Sequence, residues 1–268
     1  MQSLNISTAA LRSIQYALDT TANNLANVDT VGYKRRGVAF SELLVDTMGE
    51  QPFTDKQRTS PPGLRIGSGV RVGMTRLDMS QGSVKITDIP TDLMIEGDGY
   101  FAVSRITRDP DTNRLREEFR LTRNGGFQIK LSPEYNQYAL TTPNGDYLVD
   151  ENGIPILMDK VGELTITPEG RVLNDGEEIA RIGVWKVDNP DQYQQVGENE
   201  FLVPANQPIT NFAFSTATIR QGALEASNVD MTREMTQLIG IQRAYQFNAR
   251  AIAISDQMMG IANSLRSR

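Results

Sequence analysis

Met1 to Val28 reads MQSLNISTAALRSIQYALDTTANNLANV. Leu4, Leu11, Ile14, Leu18, Leu25 and Val28 stand seven, three, four, seven and three residues apart, and Ser7 and Thr21 fill the two missing seam positions. That is a heptad stripe. Only Arg12 and Asp19 are charged and no glycine or proline interrupts, so the spacing predicts one continuous helix of roughly 40 Å at about 1.5 Å per residue. Its polar face is Ser, Thr, Asn and Gln rather than Lys and Glu, which suits a helix covered by neighbours on most sides.

The far end repeats the pattern. Met231, Met235, Leu238, Tyr245, Ala249, Ile252 and Met259 fall at helical spacing, with Ile241 and Ala262 widening the stripe. Asp230 is a natural N-cap, and Arg266 and Arg268 suit the negative end of the helix dipole. Two long amphipathic helices thus bracket the chain. They can pack on each other or the middle as core helices of one globule, or serve a contact surface, where the adaptable methionines would fit more than one neighbour.

The middle differs in kind. From about Gly69 to Gln221 short alternating or β-branched runs, such as Tyr100 to Ile106 and Glu118 to Arg123, are punctuated by Asn124-Gly125-Gly126, Asn144-Gly145, Asn152-Gly153, Glu169-Gly170 and Asp175-Gly176. Strands at regular intervals with turn signals between them predict an antiparallel β domain, and the scarcity of helical periodicity argues against a doubly wound α/β fold. Before it, Gln51 to Gly69 carries Pro52, Pro61, Pro62, Gly63, Gly67 and Gly69 and reads as an extended connector. The expected organisation is α+β. An N-terminal helix (1–36) leads through a connector (37–75) into an antiparallel all-β domain (76–222), and a C-terminal helix (223–268) returns to lie beside the first as a coiled-coil-like pair.

The chain has 268 residues, no histidine and no cysteine, a formal net charge of −6 and 7% aromatic residues. These absences remove the usual general base, the commonest metal ligand and every thiol nucleophile. Net acidity argues against phosphate-driven nucleic-acid binding, and Lys34-Arg35-Arg36, the one compact basic run, reads as a solvated turn after a helix. No run of about eighteen apolar residues marks a membrane span, and no cleavable signal is expected at the N-terminus.

The candidate chemical motifs have plainer readings. Gly97-Asp98-Gly99-Tyr100-Phe101-Ala102 fits GxGxxA, but a strand rather than a helix follows, so a tight hairpin turn is expected. Asp109, Asp111 and Asn113 imitate a calcium loop, yet Arg114 and Arg120 stand where glycine and the bidentate glutamate belong; a polar hairpin tip is expected instead. Glu117-Glu118 and Glu177-Glu178 are neighbours on strands and point to opposite faces, unlike a glycosidase pair. No catalytic residue, metal site, cofactor or small-molecule substrate is expected.

Asn23, Asn24 and Asn27 remain. Asparagine is a poor helix former, and Asn23 and Asn27 lie four apart on one face beside Leu25 and Val28. Either buried amides fix helix register, or the helix ends there with Gly32 as its punctuation.

Ala22 to Arg35, ANNLANVDTVGYKR, resembles the N-terminal signature of the axial proteins of the bacterial flagellum, the rod and hook proteins of the basal body. Ser227-Asn228-Val229-Asp230 and Gln242-Arg243-Ala244-Tyr245 resemble their C-terminal signature, and Ile95 to Phe101 and Thr122 to Phe127 resemble pieces of their β domain. The connector, Pro61 to Val70, is similar to that of the distal rod type. The resemblance implies a non-enzymatic structural subunit that polymerises helically and transmits torque to the hook. Its implied partners are copies of itself, neighbouring rod and hook proteins and the flagellar type III export apparatus. Its implied packing residues are Leu4, Leu11, Ile14, Leu18, Asn23, Asn24, Leu25, Asn27 and Val28, with Met231, Met235, Leu238, Ile241, Tyr245, Ile252 and Met259. A hook or other rod subunit, or a β-rich carbohydrate-binding or adhesin domain outside that family, are the alternatives.

Overall fold

A computed structural model describes residues 2–42, 45–47, 65–67, 70–108, 115–187, 189–197, 199–204 and 209–266. The uninterrupted terminal segments form α1 (Gln2–Ala26) and α2 (Met231–Arg266). Asp230 caps α2 as expected, its carboxylate accepting the amides of Thr232 at 2.9 Å and Arg233 at 3.2 Å. The chain divides into two units: Met1–Ala26, Arg36–Arg76 and Asp230–Arg268 form the first, Asn27–Arg35 and Leu77–Val229 the second.

In the first unit α1 and α2 lie against each other. The C-terminal end of α1 meets the first turns of α2 at Asn24 and Glu234, which sets the helices antiparallel. Residues 37–75, expected as an extended connector, contain strands that pair: β1 (Arg36–Glu42), β2 (Val45–Thr47), β3 (Arg65–Gly67) and β4 (Val70–Leu77). β1 pairs with β4, and β2 runs antiparallel to β3 with Val45 opposite Gly67. The alternating run Gly37-Val38-Ala39-Phe40 supplies the unforeseen first strand. Pro61, Pro62, Gly63 and Gly69 lie outside the described residues.

The second unit is antiparallel β structure. Its strands are β5 (Val84–Ile86), β6 (Leu93–Glu96), β7 (Tyr100–Arg108), β8 (Leu115–Thr122), β9 (Gln128–Leu131), β10 (Tyr138–Thr141), β11 (Tyr147–Leu148), β12 (Leu157–Met158), β13 (Leu164–Ile166) and β14 (Arg171–Asn174). They continue as β15 (Glu177–Arg181), β16 (Val184–Trp185), β17 (Gln194–Gln195), β18 (Glu200–Leu202), β19 (Thr218–Gln221) and β20 (Ala223–Glu225). The main sheet runs β12-β10-β11-β7-β8-β18-β17, with β16 on β7 and β9 on β10; β13-β14-β15 form a second sheet, and β19 pairs β6 while β20 pairs β5.

β7 organises this core. Phe101 and Val103 point into one apolar cluster with Leu93, Phe127 and Leu140, while Tyr100 and Ala102 point into another with Leu121, Trp185 and Phe201. Alternating side chains buried on both faces explain the unbroken apolar run at its start. The turns at Asn144-Gly145, Glu169-Gly170 and Asp175-Gly176 join paired strands. Gly97-Asp98-Gly99 does not: β6 pairs with β19 and β7 with β8, so this turn connects different ladders and the expected hairpin is corrected. Asn124-Gly125-Gly126 likewise links strands that do not pair. A Cβ on Gly125 would stand 1.6 Å from the Leu93 carbonyl oxygen, so only glycine fits there. Asp109, Asp111 and Asn113 lie outside the described residues.

Candidate subunit-packing surface

The two faces of α1 differ. Ser13, Ala17, Thr21 and Asn24 are its fully buried positions among the described residues, a small and polar row spaced four, four and three. Ser13 and Thr21 satisfy their hydroxyls on the carbonyls four residues back, and Ser13 also reaches the Val70 carbonyl on β4 at 3.0 Å. Leu11, Ile14, Leu18 and Leu25 lie about a quarter turn away at about 100° per residue and are half-buried. Small buried side chains let backbones approach closely, leaving the larger leucines at the flank. The side chain of Leu4 lies outside the described residues.

Of the three asparagines, Asn24 is the buried one, at 1% exposure. Its side-chain N–H donates to the Arg36 carbonyl at 2.9 Å and its oxygen accepts the Arg36 amide at 3.0 Å, so the amide pairs with the start of β1 as a strand neighbour would. The same nitrogen donates to Glu234 Oε2 at 3.1 Å, and Glu234 is 0% exposed. Asn23 is exposed and Asn27 half-buried. Asn27 accepts the Thr30 hydroxyl at 3.1 Å in the turn that follows α1. The burial expected of the pair Asn23 and Asn27 falls instead on Asn24, which joins α1 to β1 and α2, while Asn27 belongs to the helix end.

On α2, Leu238, Ile241 and Ile252 are half-buried, while Met231, Met235, Tyr245 and Met259 are exposed. The expected stripe is thus divided between two environments. Of a second row only Met258 entered the sequence reading, as one of the adaptable methionines: Phe247, Ile254, Met258, Ile261 and Leu265, spaced seven, four, three and four, are 57–71% exposed. At about 100° per residue they lie on roughly the opposite side of the helix from Leu238, Ile241 and Ile252. The signal was present, but the period was matched to one stripe only. With Asn24 beside Glu234, antiparallel helices bring Gln2 level with about residue 256, so α2 continues about 15 Å beyond α1. Met258, Ile261 and Leu265 stand on that extension.

In the second unit, Lys34 is buried at 6% exposure, which corrects the expected solvated basic turn. Its ammonium donates to Glu225 at 2.6 Å and to the Ser80 carbonyl at 2.8 Å. Arg123 holds the other Glu225 oxygen at 2.6 Å, and the Gly82 amide donates to the first at 2.8 Å. Burial lowers the Lys34 pKa, an effect that Glu225 opposes. Burial also works against ionisation of Glu225, but Arg123 and Lys34 outweigh it and hold its carboxyl below the ordinary value. Arg123 further donates to the carbonyls of Ile95, Gly97 and Gly99. That glycine loop therefore presents carbonyls to a cation, the opposite polarity from a phosphate-binding loop.

The signature turn closes around these groups. Gly32 has φ +68°, donates its amide to the Glu225 carbonyl at 2.8 Å, and leaves a Cβ only 2.8 Å from the Arg123 backbone. The Arg35 amide donates to Asn228 Oδ1 at 2.7 Å, and Asn228 Nδ2 donates to the Asp78 and Ser80 carbonyls at 2.8 and 3.0 Å. Sequence reasoning missed Glu225 and Glu234 and quoted Arg123 and Asn228 only within the family signatures, without their contacts, because each finds its partner far along the chain. A lone acid in the strand Ala223-Leu224-Glu225 was the available hint.

An antiparallel helix pair with exposed apolar rows and an antiparallel β unit make this an α+β protein of the kind that the resemblance implies for axial subunits. A family profile described as "Flagella basal body rod protein" matches residues 4–34, and one described as "Flagellar basal body rod FlgEFG protein C-terminal" matches residues 220–265. The chain belongs to the flagellar basal-body rod protein family. It is 34% identical to the flagellar hook-basal body complex protein FlhP of Bacillus subtilis, over 99% of this chain and 100% of that one. It is 33% identical to the flagellar basal-body rod protein FlgG of Borreliella burgdorferi, over 99% of each, and 30% identical to FlgG of Caulobacter vibrioides, over 100% of each.

Proposed function

We propose that this chain is a structural, non-enzymatic subunit of the flagellar rod, of the distal type, which polymerises helically with copies of itself and carries torque from motor to hook. The observation that carries the reading is α2, which exposes ten large apolar side chains from Met231 to Leu265 in the single chain. A helix apolar on several sides belongs in a packed interior, and here other subunits supply it. A head-to-tail interface of this kind generates an open helical array.

In this reading α1 and α2, the helices of the terminal segments 1–36 and 223–268, form the inner, densely packed layer of the polymer as coiled-coil-like pairs, and the β unit forms its outer layer. The packing residues are those named from the sequence together with Phe247, Ile254, Met258, Ile261 and Leu265. Rod and hook neighbours cap the array, and the flagellar type III apparatus exports the chain to the basal body. A β-rich carbohydrate-binding domain is disfavoured because Trp185, the sole tryptophan, is 0% exposed and offers no stacking platform. Electron microscopy tests the proposal. Purified protein at high concentration is expected to form tubes, and basal bodies from a deletion strain to lack the distal rod; a full rod and hook in that strain would overturn it.

A further inference from the structure

One residue, Glu225, ties together three separated pieces of the second unit: Gly82 and Arg123 through its carboxylate, and the turn that carries Lys34, held by the carboxylate, and Gly32, held by the backbone carbonyl. Lys34 and Gly32 belong to the turn directly after α1, and Glu225 to the strand directly before α2. We propose that Glu225 is a completion latch: the turn Asn27–Arg35 docks on the β unit only when the C-terminal strand β20 has brought this carboxylate into place.

The argument is electrostatic. Lys34 and Arg123 are both nearly excluded from water, with side-chain exposures of 5% and 3%, and both contact the same carboxylate. Without that anion the two buried cations would share one space with only the exposed Asp78 carboxylate as countercharge to Lys34, which costs more than leaving the turn open to solvent. Leaving it open is available to Lys34, whose flexible stem lies on the short turn, but not to Arg123, which is held by the carbonyls of the Gly97–Gly99 loop. The turn is therefore the element that moves. Since the carboxylate comes 191 residues after Lys34, a chain that is incomplete or unfolded beyond β19 keeps the turn Asn27–Arg35 undocked. Resting on the polymer reading above, the latch withholds assembly from such a chain.

The test uses the full chain as monomer and follows amide hydrogen exchange by mass spectrometry or NMR. Gly32 and Arg35 amides, which donate to Glu225 and Asn228, report the turn; β7 and β8 report the core. Glu225→Gln is expected to speed exchange at Gly32 and Arg35 by about tenfold or more while β7 and β8 keep wild-type protection. Lys34→Gln, which leaves the Arg123–Glu225 pair intact, is expected to do the same and covers the case in which Glu225→Gln fails to fold. Wild-type exchange at Gly32 and Arg35 in Lys34→Gln, or loss of protection that is equal in turn and core, overturns the latch. Sedimentation of the same variants is expected to show slower polymerisation than wild type. A wild-type chain that never polymerises would instead overturn the polymer reading and leave the exchange result to decide the latch.

Discussion

Asn24 and Glu234 are 210 positions apart in sequence and 3.1 Å apart in space, both shut off from water. The amide supplies what this position needs: N–H donors for the Arg36 carbonyl and the Glu234 carboxylate, and an acceptor for the Arg36 amide. Asn24→Ala removes these hydrogen bonds and is expected to destabilise the helix pair by about 1–3 kcal/mol. Asn24→Asp keeps the shape but sets a second carboxylate against Glu234, and its expected cost is about 3–5 kcal/mol. Urea unfolding followed by helical circular dichroism checks both, with the greater loss for Asp as the diagnostic order.

The exposed row on α2 separates folding from assembly. Ile254 and Ile261 are 57% and 62% exposed, so Ile254→Asp and Ile261→Asp are expected to leave the monomer's stability within about 0.5 kcal/mol of wild type and to abolish polymerisation. Leu18→Asp, on the half-buried row of α1, is expected to lose both helix content and assembly. Melting curves and sedimentation of the three variants, with swimming assays in the complemented deletion strain, distinguish the two surfaces. If Ile254→Asp assembled at the wild-type rate, the row would not be an interface.

The terminal helices and the β middle were legible because periods of 3.6 and 2 are local. Leu11, Ile14 and Leu18 announce a helix without reference to anything beyond Val28, and Asp230 announces where α2 starts. What escaped was long-range. Nothing near Lys34 says that it will be buried, because its countercharge lies on β20; the three consecutive cations looked solvated for want of an acid close by. The Gly97–Gly99 turn was legible as a turn, but whether its flanking strands pair is decided by β19 and β8, not by the turn itself. Composition, too, hid Ser13 and Ala17 from the buried row that they form with Thr21 and Asn24. A reading that looks for large apolar side chains assigns the core face to the leucines a quarter turn away.

Gly32 joins the signature turn to the β unit at a position where no other residue fits. Gly32→Ala combines a left-handed backbone at φ +68° with a Cβ 2.8 Å from the Arg123 main chain. The strain is of order 1–3 kcal/mol, relieved by undocking the turn. Thermal unfolding is expected to move down by several degrees, at about 2–4 °C per kcal/mol for a chain of this size, and the Arg35 amide to lose protection first.

Two buried carboxyls of the second unit, Glu225 and Glu200, are pushed in opposite directions from the same ordinary value of 4.5. For Glu200 burial dominates, and the single ion pair with Arg120 at 2.8 Å does not offset it, so its pKa is raised. For Glu225 burial is outweighed by two cations, and its pKa is lowered. The consequences for stability have opposite sign. Glu225, with its folded value depressed, contributes stabilisation above pH 4.5 that disappears as pH falls through the folded value. Glu200 contributes stabilisation fully present below pH 4.5 and lost as pH rises through its elevated folded value. On mild acidification from neutrality Glu200 is therefore expected to take up its proton first, at a small gain, and the Glu225 contribution to fall away only below pH 4.5. Carboxyl carbon titration by NMR reads each group directly, with Glu200 inflecting above 4.5 and Glu225 below it. A Glu225 inflection above that value would mean that Lys34 and Arg123 do not carry the charge balance of the buried cluster.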